Sequence, residues 1–119
     1  MVAMANSEKS KLIQQNSDEV LAVAHEIASK FSPDRVILFG SRAHGTATTD
    51  SDADFLVVMD HDAHPALKAA EIRRAIHAPF GMDLIVRSKT KIEERLNMAD
   101  PFFSEIFSSG ITLYEATGT

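Results

Sequence analysis

Apolar positions along this chain follow two different periods. Val20, Ala24, Ile27 and Phe31 recur at helical spacing, the stripe of a helix expected over 8–31 with a break near Asn16-Ser17. Ser32-Pro33 ends it, because the residue before proline is pushed out of the α region. The runs VILF at 36–39 and FLVVM at 55–59 are short, continuous and rich in β-branched residues. They read as strands over 35–39 and 53–59, and the first resembles a strand covered on both faces. Pro65 suits the first position of a helix, capped by His64 or Asp62 and running to Ala78. Its buried side is expected from Leu67, Ala69, Ala70, Ile72, Ala75 and Ile76, with Lys68, Glu71, Arg73 and Arg74 facing water.

A third strand is expected over 80–87, then a short helix opened by a capping box at Thr90-Lys91-Ile92-Glu93. Asp100-Pro101 starts a further helix that packs Phe103, Ile106 and Phe107 and is closed by Gly110. A last strand follows over 111–115. Residues 40–52 are too few for a crossover helix, so the first two strands should pair antiparallel. The expected fold class is α/β (α+β): a small mixed, largely antiparallel sheet with helices mainly on one face.

The 119 residues are expected to form one domain over 1–119, with 1–7 a flexible N-terminus. Hydrophobic residues make up 45% and charged residues 24%, a globular balance. Lys and Arg number 12 against 17 Asp and Glu, and the net charge of −5 argues against broad nucleic-acid binding. No cysteine is present for a disulfide or a thiolate site, and no apolar run reaches membrane-spanning length. The expected location is cytoplasmic.

Chemistry concentrates between the first two strands. Gly40-Ser41 stops the first run, glycine supplying the φ freedom for a tight bend. Asp52 and Asp54, two apart at the start of the second strand, put both carboxylates on one face. Like charges so placed repel unless a cation lies between them, and Mg²⁺ recruits substrate phosphates to complete its oxygen shell. A turn with N–H groups and a hydroxyl is a fitting phosphate cradle beside such an ion. Asp83 sits inside an otherwise apolar third strand, where an ionised carboxylate is costly unless it binds something or lies at an edge. These features point to phosphoryl or nucleotidyl transfer.

Gly40-Ser41, ten intervening residues and then Asp52-Ala53-Asp54 together resemble the signature of the nucleotidyltransferase superfamily related to DNA polymerase β. The strings GSRAHG at 40–45 and SDAD at 51–54 are similar to the minimal nucleotidyltransferases, although His44 stands where the usual pattern has Arg. The resemblance implies a polymerase β-like nucleotidyltransferase fold, with Asp83 as the third carboxylate. It implies that Asp52, Asp54 and Asp83 hold two Mg²⁺ ions (or Mn²⁺) and are catalytic. Gly40, Ser41 and Arg42 would meet the phosphates of ATP or another NTP, although Arg42 reads equally as a helix-capping surface charge. Such a site moves NMP, foremost AMP, to a hydroxyl and releases pyrophosphate. The resemblance further implies a separate helical partner of the HEPN type in a toxin–antitoxin pair, with a partner tyrosine as acceptor and this chain as antitoxin. The alternative is a non-catalytic or weakly catalytic module that neutralises that partner by docking. Homo-oligomerisation stays open.

Other readings fit less well. Asp50, Asp52 and Asp54 mimic the opening of a calcium loop, but Phe55 and His61 stand where it needs Gly and Glu. Ser41 lacks the Gly-x-Ser-x-Gly elbow of a hydrolase, and no Gly-Lys-Ser/Thr makes a Walker loop. His61 and His64 lack the further ligands of a zinc site. His44 is open between phosphate donor and surface residue.

Overall fold

The computed structural model describes residues 18–44 and 52–117. Helix α1, described over 18–31, leads into β1 (Arg35–Phe39) and a single turn of helix, α2 (Ser41–His44). Then come β2 (Ala53–Val58), α3 (Pro65–Ala75), β3 (Met82–Arg87), α4 (Lys89–Asn97), α5 (Pro101–Ser109) and β4 (Ile111–Glu115). The strands form one sheet in the order β3-β2-β1-β4. β1 pairs antiparallel with β2 and with β4, while β2 and β3 run parallel through the α3 crossover. The sheet is mixed and largely antiparallel, as the lengths of the connections require.

The helices divide between the two faces of the sheet, where one face had been expected to carry most of them. Val20, Val23, Ala24 and Ile27 of α1 and Ala69 and Ile72 of α3 pack against Val36, Leu38, Phe55, Val57, Leu84 and Val86. On the other face, Ile92 of α4 and Phe103 and Ile106 of α5 pack against Ile37, Leu56 and Val58. The reason lies in the strands. Phe55 and Leu56 are adjacent, point to opposite faces and are both fully buried, so each face needs its own cover. Truncating either to alanine should cost about 2–5 kcal/mol.

Local chemistry sets the helix boundaries. His64 caps α3, its Nδ1 accepting from the Ala66 N–H, and Pro65 follows as the first helical residue. The helix stops at Ala75, short of Ala78, and Leu67 is 65% exposed, outside the buried stripe of Ala69 and Ile72. The α4 cap is Ser88, whose Oγ accepts from the Lys91 N–H, so the helix starts two residues before the box expected at Thr90. Asp100 caps α5 through the Phe102 and Phe103 N–H groups, and the Gly110 N–H closes it on Ile106 O. The break near Asn16-Ser17, the N-terminal segment 1–7 and the loop expected over 46–51 lie outside the described residues.

Candidate active site

Three strand ends meet at one end of the sheet. β1 finishes at Phe39, β2 starts at Ala53 and β3 at Met82, so the antiparallel and parallel pairings bring Gly40, Asp54 and Asp83 side by side. Asp54 is the register partner of Phe39 on one side and of Asp83 on the other. Register partners leave a sheet on the same face. Asp54, Asp83 and Phe39 therefore share the α4/α5 face.

The electrostatics follow from that convergence. The Asp54 carboxyl is pushed above its ordinary value, first by desolvation, then by the charge of Asp83 and a hydrogen bond with it, and last by the charge of Asp52. Asp52 and Asp83 are exposed, Asp54 half-buried. Among the described residues no group of three or more His, Cys, Asp or Glu side chains forms a ready-made metal cage. Yet the three carboxylates interact, so the cluster is open and self-repelling. A set of carboxylate oxygens alone suits a hard divalent ion, and such an ion would relieve the strain on Asp54.

Two glycines make room for this cluster. Gly40 adopts φ +77°, in the left-handed region, and a Cβ there would run into the Asp54 carboxylate. A Cβ on Gly81 would run into the Asp52 carboxylate. Gly81 also accepts from the Ala53 N–H at 2.9 Å, which fixes Asp52 beside it. Ser41 opens α2, whose Ala43 and His44 N–H groups both turn back to Gly40 O. Arg42 lies over the Phe80 ring with its guanidinium carbon 4.8 Å from the centroid, tying α2 to the approach of β3. His44 is exposed at the end of α2.

Sequence reasoning missed Gly81 and Phe80, and it placed Phe102 with Phe103 and Phe107 in the core, an exposed member of that cluster marking a partner surface. Phe102 of α5 meets Phe39 edge-on at 5.8 Å and Phe103 at 5.2 Å, and it remains 47% exposed. Its i, i+1 neighbour Phe103 goes to the core, so an aromatic count alone does not separate the two. Gly81 had a readable signal, a glycine placed just ahead of an apolar strand that carries a carboxylate.

The parallel and antiparallel pairings thus bring carboxylates to one mouth of the sheet with a glycine turn against them. The sequence matches the nucleotidyltransferase domain family over residues 22–109, most of the chain, and the chain belongs to that family. No curated protein matches the sequence. The fold is similar to the crystal structure, at 1.40 Å, of a Sulfolobus solfataricus protein provisionally designated a nucleotidyltransferase. The two share 18% identity at a TM-score of 0.54, over 93% of this chain and 86% of that one. At that identity the likeness bears on the fold.

Proposed function

We propose that this chain is a single-domain, cytoplasmic, divalent-metal-dependent nucleotidyltransferase that moves AMP from ATP to a hydroxyl. The observation that carries the reading is Asp54, its carboxyl raised by burial and by Asp83 and Asp52, with the Gly40 turn closed against it. Carboxylates that repel in the empty protein are well matched to a cation that arrives with its substrate. Asp52, Asp54 and Asp83 would hold two Mg²⁺ ions, or Mn²⁺, and the metal would supply charge stabilisation for the entering and leaving oxygens.

The residues of the chain then divide the remaining work. Gly40 and Ser41 bind the β- and γ-phosphates through backbone N–H and hydroxyl, and Arg42 adds a positive charge on their flank. Asp83, the more exposed member of the register pair, accepts the proton of the acceptor hydroxyl. The acceptor oxygen forms a bond to the α-phosphorus, the bond to the bridging oxygen breaks, and pyrophosphate leaves. For the acceptor we propose a tyrosine hydroxyl on a helical partner of the HEPN type, this chain acting as the antitoxin. The support is the sequence resemblance together with Phe102, a half-exposed ring against Phe39, the register partner of Asp54, that such a partner would cover.

The test is incubation of the protein with α-labelled ATP, Mg²⁺ and the protein encoded beside it. Label on the partner that disappears with Asp83→Asn supports the reading. A tight complex that never acquires label refutes it.

A further inference from the structure

β3 is an edge strand, and its open side carries a second constellation remote from the aspartates. The carbonyls of Gly81 and Arg87 accept from Ala53 and Met59, so the odd-numbered residues of β3 face β2. The backbone of Leu84 and Val86 therefore looks outward. A groove of about 480 Å³ runs along that edge, between the first turns of α3 and α4. Its apolar wall includes Pro65, Ala66 and Leu84, and its polar lining includes Arg87, Lys91 and His64.

No described Asp or Glu lines this groove, in a chain where 17 acidic residues outnumber 12 basic ones. A second groove of about 350 Å³ differs, mixing Asp34, Glu93 and Glu115 with Arg35 and Lys89. Arg87 is half-buried and, among the described residues, has no carboxylate partner. One of its N–H groups donates to Val86 O at 2.7 Å, which pins the guanidinium on the strand edge and leaves its other donors for a ligand. Lys91 has Glu94 at 3.6 Å, but both side chains are more than half exposed and the pair is weak. His64 accepts at Nδ1 from Ala66, so its proton sits on Nε2, a further donor.

We propose that this groove binds an organic phosphate, its anionic group held by Arg87, Lys91 and His64 and its apolar body against Pro65, Ala66 and the edge of Leu84. The site is independent of the carboxylate cluster, which lies at the other end of β3.

Phenyl phosphate is the probe, titrated without divalent metal while the ring resonances of His61 and His64 are followed by NMR. Both should shift saturably, and inorganic phosphate, lacking an apolar body, should bind several-fold more weakly. Arg87→Gln should weaken phenyl phosphate by about tenfold, the loss of a charge-assisted contact. Lys91→Gln, at an exposed side chain that the fold does not need, should also weaken it, while Asp54→Asn should bind it as the natural chain does. Absence of saturable histidine shifts, unchanged affinity in both groove variants, or equal affinity for inorganic phosphate would overturn the proposal.

Discussion

The two ends of β3 handle charge in opposite ways. At its start, Asp83, Asp54 and Asp52 crowd together, and the Asp54 carboxyl is pushed above its ordinary value by burial and by its two acidic neighbours. At its finish, Arg87 and Lys91 face a groove that no described acid lines, with two helix caps already satisfied by His64 and Ser88. The first end is electrostatically unfavourable as it stands, and the second is well formed. Carboxylates that worsen the free protein call for a cation, whereas at the other end folding accounts for the caps on Ser88 Oγ and His64 Nδ1 and leaves Arg87, Lys91 and His64 Nε2 to meet an anion.

The largest expected effect tests the strained end. Asp54→Asn and Asp83→Asn should each lower nucleotidyl transfer by roughly 10³-fold or more, measured with labelled ATP, because the charge proposed to hold the metal is lost. Both should fold. Full activity in either variant would remove the carboxylate cluster from the chemistry.

Gly40→Ala comes next. Forcing a side chain to φ +77° costs about 1–2 kcal/mol, and the new methyl displaces Asp54, so stability and transfer should fall together. Gly81→Ala meets only the exposed Asp52 carboxylate, which can swing aside. It should depress transfer with little change in denaturation midpoint.

A smaller effect distinguishes the strained end by its sign. The fold prefers neutral Asp54, so this group contributes stability fully below its ordinary value of 3.8 and loses it as pH rises through the raised folded value. Asp54→Asn should therefore raise the Tm at pH 7 and leave it nearly unchanged at pH 3. Mg²⁺ at ten times its Kd should add about 1.4 kcal/mol to the natural chain. The Asn variant should gain less from the same ion. A lower Tm for Asp54→Asn at pH 7 would contradict the electrostatic account.

At the well-formed end, Ser88→Ala should cost about 1 kcal/mol in chemical denaturation, the loss of one helix cap, with transfer intact. Removing the exposed Arg35–Glu115 pair, 3.1 Å apart on β1 and β4, should cost less, about 0–1 kcal/mol.

Much of this was legible in the chain. β1 and β4 have the bounds that their apolar runs predict, and Pro65, Asp100 and Gly110 mark helix ends where they were expected. Those signals are local: a proline's fixed φ, a cap's reach of two or three residues, a strand's alternation. The sharing of helices between two faces was foreshadowed by the doubly apolar β2 but assigned by α4 and α5, whose Ile92 and Phe103 meet Leu56 and Ile37 only once the chain folds back.

The sequence alone determined which residues set a charge beside an apolar run, Asp54 and Asp83, and put a glycine at the end of β1. Tertiary structure alone decided how they meet. The parallel register of Asp54 with Asp83 spans the α3 crossover, and the clearance of Gly81 for Asp52 depends on that same register. A pairing between strands distant in sequence is set by the packing of both sheet faces, which no local pattern encodes.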